Sequence, residues 1–254
     1  MKQNLFARYT PTIRDLEICD LDDRLLLDRD GPISVYYAPF DYINGDAKIV
    51  IAGITPGKTQ MFNALREARK QLLNGASNET ALEAAKRTAS FSGAMRPNLI
   101  NLLDYIGVNK WLRINTCGRL FDDSTKLVQT TSVLRFPVFI DGSNYNGTPN
   151  MLKHALLRRH LLEHFGAEAT LLKNALFVPL GGTVVEAFRF LAKEGVINHE
   201  RILDGLPHPS GANAERIAYF LGTKSKERLS AKTDAKKLDG ARELLRSRVL
   251  ALAN

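Results

Sequence analysis

The sequence predicts an α/β fold in which a parallel sheet carries helices on both faces. A β-branched apolar run at residues 49–52 breaks into a Gly/Pro turn, and a helical pattern follows from Met61. The same order recurs at residues 175–193, where the run ALFVPL ends in Gly181-Gly182-Thr183 before another helical pattern. Repeated strand–turn–helix order is typical of parallel sheets, because parallel strands need crossover connections.

Length and composition indicate a globular protein with one good core. The chain has 254 residues, of which 44% are hydrophobic and 24% charged. No apolar run approaches the roughly 20 residues of a membrane span, and the first ten residues lack a signal-peptide core, so we expect a cytoplasmic protein without membrane contact. The net charge of +8 is compatible with a polyanionic partner, although many globular proteins are mildly basic.

Cysteine usage argues against a disulfide framework and against an iron–sulfur or zinc site. The chain has only Cys19 and Cys117, which are far apart and form no CxxC or Cys/His cluster. Seven acidic residues between positions 15 and 30 could suggest a carboxylate metal site, but nothing fixes their geometry. We therefore expect no metal and no cofactor.

The elements follow one another in the order expected for a single domain. We expect residues 1–47 to form an N-terminal extension packed on the core, with a solvated helix and loop at residues 1–31. Residues 48–221 form the predicted core, and residues 222–254 form a basic C-terminal region that ends in an amphipathic helix. Strands are predicted at residues 49–52, 128–134 and 175–180, with a last short strand after residue 201. Helices are predicted at residues 61–73, 79–89, 99–106, 151–165, 184–193, 214–221 and 241–252.

The loop after the first core strand, within KIVIAGITPGKTQ at residues 48–60, supports two interpretations. Ala52, Gly57, Lys58 and Thr59 fit a loosened phosphate-loop pattern, with residues 138–141 as a later magnesium-binding strand end. Against this, the strict pattern has Gly in place of Ala52, and Pro56 removes a backbone N–H from a loop that must offer N–H groups to phosphate. The alternative is a turn that holds a water molecule and a flipped base.

Four pieces of the chain, taken in order, resemble the uracil-DNA glycosylase superfamily. They are the Gly-x-x-Pro-Gly turn at residues 53–57, the Phe91 loop, the strand at 128–134, and the loop His208-Pro209-Ser210-Gly211. LFVPLGGTVVEAF at residues 176–188 is similar to a strand–Gly–Thr–helix unit of that superfamily. The resemblance spans residues 48–221 and implies a three-layer α/β/α sandwich with a central four-stranded parallel sheet, base flipping, and DNA as the partner. No protein partner is predicted.

The resemblance also implies roles for individual residues. His208 would donate a hydrogen bond to the pyrimidine O2 as negative charge develops there, and Phe91 would stack on the flipped base. The remaining matches concern DNA. The loop residues Pro209, Ser210, Gly211 and Asn213 would enter the minor groove or hold phosphate, and the cations Lys58 and Arg216 would contact phosphates.

Departures from the superfamily pattern concern the water and the base pocket. Thr55 stands where efficient uracil enzymes have Asp or Asn, and a threonine hydroxyl can position water but is a poor base, so a carboxylate such as Asp141 could assist. Thr131 and Ser132 stand where relatives supply an Asn amide to read uracil. The predicted pocket consists of these two hydroxyls with Ile54, Phe91 and Asn144. The amide of Asn144 or of Asn146, in the next loop, could replace the missing one.

The resemblance implies a monofunctional, metal-free DNA glycosylase that acts on uracil or, as we favour from the departures, on a modified or bulkier pyrimidine such as a substituted cytosine. If that base occurs in foreign DNA, the role would be defence rather than repair. Two alternatives remain: a phosphate-loop NTPase that uses residues 52–59, and a catalytically inactive DNA-binding member of the superfamily.

Overall fold

The computed structural model describes residues 5–90, 95–122 and 126–253. The chain forms two compact units whose segments interleave along the sequence. Unit 1 comprises Met1–Gly45, Gly53–Ser90 and Thr130–Leu172, and unit 2 comprises Asp46–Ala52, Phe91–Gln129 and Lys173–Asn254. Residues 48–221, predicted to form one core, contribute to both units.

The helices of unit 1 pack around a core of aromatic and aliphatic side chains. They are α1 Leu5–Asp15, α2 Lys58–Leu73, α3 Asn78–Ala89, α6 Ala155–His160 and α7 Ala167–Leu171. A π-helical turn, Leu161–Gly166, joins α6 to α7. The buried face of α3 is mostly alanine, which lets its backbone pack closely against α2. The rings of Tyr9 and Tyr37 stack with centroids 4.3 Å apart, which fixes α1 on the segment that follows β2.

Unit 1 also contains an antiparallel sheet that the sequence analysis did not predict. Its strands are β1 Leu26–Asp30, β2 Ile33–Tyr36, β5 Val138–Ile140 and β6 Ser143–Asn144, in the spatial order β1-β2-β5-β6. β1 and β2 form a hairpin whose turn includes Gly31 at φ +55°, a conformation that glycine adopts without steric cost. The helix-and-loop prediction for residues 1–31 therefore holds for α1 but is wrong for residues 26–30.

The second sheet is parallel and has the order β4-β3-β7, formed by β4 Val128–Ser132, β3 Ile49–Gly53 and β7 Leu176–Pro179. β3 and β7 run in register from Ile49 opposite Leu176 to Ala52 opposite Pro179. The amide of Lys48 donates to Leu127 O at 2.9 Å at one end of the β3–β4 pair. The predicted α/β class is confirmed at this level.

A four-stranded central parallel sheet, however, is not observed in the described part of the chain. The segment predicted as the last strand contributes one parallel bridge, between Ile202 and Phe177. Pro207 and Pro209 follow within a few residues, and proline lacks the N–H group that a strand ladder requires. Pairing therefore stops almost as soon as it begins.

Unit 2 has its own apolar core beneath the parallel sheet. Its helices are α4 Met95–Tyr105, α5 Val108–Trp111, α8 Gly182–Lys193, α9 Ala214–Phe220 and α10 Ala235–Ala253. The predicted C-terminal helix begins six residues earlier than expected and buries Leu245 and Val249 in this core. It packs so closely on Gly205, which has φ +120°, that an added Cβ would lie 2.9 Å from the Cβ of Ala241.

Among the described residues, no helix combines the length and the apolar composition needed to cross a membrane.

Candidate functional site

In unit 1, side-chain oxygens accept hydrogen bonds from two backbone amides at the start of α2, which follows the turn at residues 53–57. The amide of Gly57 donates to Gln60 Oε1 and the amide of Lys58 donates to Asn144 Oδ1, both at 2.9 Å. Gln60 occupies the third helical position, where a capping glutamine is favoured, so the sequence carried a signal for this bond. Because both amides are already satisfied, the geometry does not favour the phosphate-loop interpretation, which needs them for phosphate.

The Thr55 hydroxyl is bonded to backbone on two sides. Its Oγ1 donates to Phe136 O at 3.0 Å and accepts from the amide of Val138 at 3.1 Å. A hydroxyl has one proton and two acceptor lone pairs, so one lone pair remains for a water molecule. Thr55 can therefore orient a water as an acceptor, while its proton ties the turn to the chain leading into β5.

Lys58 lies beside this turn but is not an isolated cation. Its Nζ donates to Asp20 Oδ1 at 2.6 Å, and this hydrogen bond lowers the pKa of the exposed Asp20 carboxyl. The ammonium group also lies 5.8 Å from the ring centroid of Phe62. The phosphate contact predicted for Lys58 would have to use the other N–H groups of the ammonium, next to the negative charge of Asp20.

The residues predicted for the base pocket in unit 1 have different surroundings. Ile54 and Ser132 are half-buried, and Asn144 is exposed with its carbonyl oxygen bound to the Lys58 amide. Thr131 is buried, and its hydroxyl lies 3.1 Å from Glu168 Oε2, inside the unit. Phe91, predicted to stack on the base, lies outside the described residues.

Thr131 borders a group of ionisable side chains, Asp41, Lys86, Arg135 and Glu168, which we call the buried charge cluster. Glu168 is fully buried and accepts from Arg135 Nη2 at 2.8 Å and from Arg135 Nε at 3.2 Å. Lys86 Nζ lies 3.8 Å from Glu168 Oε1 and donates to Tyr42 O. Its residues are scattered between positions 41 and 168, and no spacing in the sequence marks them as neighbours.

The electrostatics of the buried charge cluster follow from its burial. Loss of solvation lowers the pKa of Lys86 to about 8, although the Glu168 carboxylate opposes this shift. Burial also raises the pKa of Asp41, whose Oδ2 accepts a 2.6 Å hydrogen bond from Tyr37. Removing any one charge would leave its partners unpaired in a poorly solvated environment.

Asp141, the carboxylate expected to assist Thr55, occupies an exposed turn between β5 and β6 with φ +47°. Its backbone amide donates to Pro32 O at 3.0 Å. In residues 5–90, 95–122 and 126–253, no three His, Cys, Asp or Glu side chains are grouped so that they could hold a metal ion.

In unit 2, the predicted catalytic histidine has a defined proton position. The amide of Ser210 donates to His208 Nδ1 at 3.2 Å, so Nδ1 acts as an acceptor and the ring proton resides on Nε2. Burial lowers the pKa of His208, which keeps the ring neutral at pH 7. Gly181 leaves room for the ring, because a Cβ there would lie 3.4 Å from His208 Cδ2, and φ is +100°.

The loop that carries His208 is held by several hydrogen bonds. Asn98 Nδ2 donates to Pro209 O at 2.9 Å, and Asn213 Nδ2 donates to Ser210 Oγ at 3.1 Å. Pro209 is buried and Gly211 is exposed, so of these two residues the glycine is the one placed to approach a ligand. The sequence analysis missed Asn98 and the steric role of Gly181, although a Gly-Gly pair after a strand was visible.

Arg216 lies one helical turn beyond this loop, on α9. Its Nη1 donates to Asn213 Oδ1 at 2.7 Å and its Nη2 donates to Lys232 O at 3.1 Å. Two of the five N–H groups of the guanidinium therefore hold the loop and the chain after α9 together. The predicted phosphate contact would have to use the other N–H groups.

Comparison with known proteins adds one relative. No family model matches the chain, and no solved structure matches it. The sequence is 38% identical over 212 residues to the uncharacterized protein YoxB of Bacillus subtilis strain 168, an alignment that covers 82% of each chain. The name of that relative states no activity, so a functional assignment must come from the chemistry of the residues.

Proposed function

The chain belongs to the family of the Bacillus protein YoxB, and we propose that it is a monofunctional DNA glycosylase, a divergent member of the uracil-DNA glycosylase superfamily. The reaction is hydrolysis of the N-glycosidic bond of a flipped-out pyrimidine, which leaves an abasic site. The proposal also implies a four-stranded parallel sheet, in which the Ile202–Phe177 bridge is the remnant of the fourth strand.

The observation that carries the proposal is the hydrogen bond from the Ser210 amide to His208 Nδ1, which places the ring proton on Nε2. When the glycosidic bond breaks, its electron pair goes to the base, and negative charge develops on the pyrimidine O2. A neutral imidazole whose only N–H is on Nε2 can donate to that oxygen without a charged group to desolvate. The bond from Ser210 fixes the ring, so the donor is oriented before the substrate binds.

The nucleophile is a water molecule that is oriented by Thr55 and is not deprotonated by a strong base. Thr55 offers one free lone pair, which can accept a hydrogen bond from this water and orient its oxygen towards the anomeric carbon. The sugar passes through an oxocarbenium-like state, and the proton that the water loses as the new C–O bond forms ends, through solvent, on the departing base anion. A chain with Thr55 in this role should turn over slowly unless the departing base is a good leaving group.

We further propose that the base is a substituted cytosine rather than uracil. Asn144 uses its carbonyl oxygen to bind the Lys58 amide, which leaves its NH2 group as the part that can read a base. An NH2 donor matches the N3 acceptor of a cytosine ring better than it matches the N3–H of uracil. If such a base marks foreign DNA, the enzyme acts in defence.

The test is base release from oligonucleotides that contain uracil or individual modified cytosines, followed by detection of abasic sites. His208→Ala should lower the rate on the best substrate by about 10²–10³-fold, the usual cost of losing one oxyanion donor. His199→Ala is the matched control, because His199 is an exposed histidine of the same unit. Release by His208→Ala at the wild-type rate would remove His208 from the mechanism.

Two observations favour a second candidate, a DNA-binding protein without catalytic activity. The donor capacity of Thr55 is spent on the backbone, and Asp141 lies in an exposed turn. Salt-sensitive DNA binding without base release from any substituted DNA would favour this candidate over the glycosylase.

A further inference from the structure

The chain between α9 and α10 carries a cluster of cations. We call residues 224–233 the basic segment; it contains Lys224, Lys226, Arg228 and Lys232 and one acid, Glu227. Its regular structure is limited to a single 3₁₀ turn, Lys226–Arg228. Its position therefore depends on side-chain bonds rather than on a helix or a sheet.

Glu215 of α9 supplies most of those bonds. Its carboxylate accepts from Lys224 Nζ at 2.9 Å, Ser230 Oγ at 2.7 Å and Thr233 Oγ1 at 2.6 Å. The Thr233 bond, followed by those of Lys224 and Ser230, lowers the pKa of Glu215 to about 2. The anchor is thus ionised at every physiological pH, and it contacts both ends of the basic segment.

Arg216, the next residue, connects the basic segment to the loop that carries His208. The same guanidinium binds Asn213 Oδ1 in that loop and the carbonyl oxygen of Lys232 in the basic segment. The two features therefore belong to one continuous surface of unit 2. An approach of DNA to the loop would bring its backbone to the basic segment as well.

The remaining cations of the basic segment are available to a ligand. Lys226, Arg228 and Lys232 are exposed, and none of them forms a salt bridge with a described residue. A groove of about 750 Å³ lies beside Arg228. It is lined by Ala218, Gly222, Thr223, Lys224, Ser225 and Arg228. Hydroxyl and cationic groups around an open groove suit the phosphates of a nucleic acid backbone.

We propose that the basic segment is a phosphate-binding strip that holds the DNA backbone next to the His208 loop. Lys226, Arg228 and Lys232 contact phosphates, whereas Glu215 and Arg216 are positioning residues. This inference rests on the proposed DNA substrate, but it concerns binding rather than base release. It gives Arg216 a role different from the direct phosphate contact predicted from the sequence.

The first experiment measures binding of a fluorescein-labelled duplex of ordinary sequence at several KCl concentrations. The variant Lys226→Gln/Arg228→Gln/Lys232→Gln should weaken binding and reduce the slope of log K against log salt by about 2 to 3 units. The matched control neutralises two lysines and one arginine that are exposed elsewhere, namely Lys153, Arg158 and Lys193. An equal effect of both variants, or no binding by the wild type, would overturn the proposal.

The second experiment tests the positioning role of Glu215. It uses a substitution whose effect on charge should tighten DNA binding, whereas its effect on position should weaken it. Glu215→Ala removes a negative charge, and charge alone would make DNA binding tighter. Loss of the anchor should instead weaken binding several-fold, because the freed segment must be ordered again when DNA binds. Unchanged or tighter binding by Glu215→Ala would contradict the positioning role.

Base release measured on the same preparations separates this inference from the proposed function. If no base is released, but the salt slope falls in the basic-segment variant and not in the control variant, the glycosylase is refuted and the phosphate-binding strip is supported. If base is released, but the salt slope of the basic-segment variant equals that of the wild type, the glycosylase is supported and the phosphate-binding strip is refuted.

Discussion

Glu168 offers a sharp test of how unit 1 is held together. Glu168→Gln keeps the size of the side chain and removes its charge. The neutral amide would face Arg135 and Lys86, two cations that are almost fully buried. We expect the free energy of unfolding to fall, because these cations lose their shared carboxylate and cannot reach bulk water.

The size of the effect follows from the contacts. Glu168 accepts two bonds from Arg135 and one from Thr131, and it is fully buried. Removing one partner of a buried ion pair typically costs about 3–5 kcal/mol. Because domains are stable by only about 5–15 kcal/mol, a loss of this size should be obvious in any unfolding experiment.

The assay is urea unfolding followed by far-UV circular dichroism and by fluorescence of the single tryptophan, Trp111, which lies in unit 2. Glu163→Gln is the matched control, because this exposed glutamate lies five residues earlier and should change stability by less than about 0.5 kcal/mol. Hydrogen exchange of α3 and α7 would locate the loss in unit 1. A Glu168→Gln protein within about 1 kcal/mol of the wild type would refute the reasoning.

Coupling between the partners makes the test stricter. Arg135 Nη2 lies 2.8 Å from the Glu168 carboxylate, whereas Lys86 Nζ lies 3.8 Å from it. The coupling energy from a double-mutant cycle should therefore be larger for Arg135→Met with Glu168→Gln than for Lys86→Met with Glu168→Gln. Strictly additive losses in both cycles would mean that the charges do not act together.

Two further predictions concern unit 1. Asn144→Ala should lower stability by about 0.5–2 kcal/mol, since α2 loses the acceptor for its first amide; urea unfolding measures this, with the exposed Asn146→Ala as control. Burial, opposed by Asp28, lowers the pKa of His160 below its unfolded value of 6.5, so the unfolded state binds more protons below that pH, and stability should fall as the pH drops through this range. His160→Gln should show a smaller loss between pH 7 and pH 5; an equal loss in both proteins would contradict this prediction.

The parallel part of the fold could be predicted because its signals are local. The apolar runs that become β3 and β7 each end in a glycine-containing turn before a helix, and both strands were placed within one residue of their observed ends. The hairpin of β1 and β2 was missed although Asp30-Gly31 is a hairpin turn signal. β1 has the sequence LLDRD, which lacks the alternation of apolar and polar residues expected for a half-buried strand. The acidic residues around positions 25–27 therefore favoured the prediction of a solvated loop.

The candidate site was predictable only in part, since a motif names residues but not their hydrogen-bond partners. His208 and Ser210 were both placed in one tight loop, but the hydrogen bond from the Ser210 amide to His208 Nδ1 was not predicted. The partners of Thr55 and Thr131 lie 81 and 37 residues away along the chain. No local pattern could show that these two hydroxyls already bind other groups of the protein.

The hydrogen bonds within the protein limit which side-chain groups can still bind a base, and the motifs alone do not show this limit. Thr131 donates to Glu168 and Thr55 donates to Phe136 O, so neither hydroxyl can donate to a base without breaking a bond inside the protein. In unit 1, the NH2 group of Asn144 remains a donor, because its carbonyl oxygen binds the Lys58 amide. A donor recognises an acceptor, and N3 of a cytosine ring is an acceptor where uracil has an N–H. If Asn144 reads the base in the proposed reaction, a substituted cytosine should be released faster than uracil, and equal release of both bases would contradict that proposal.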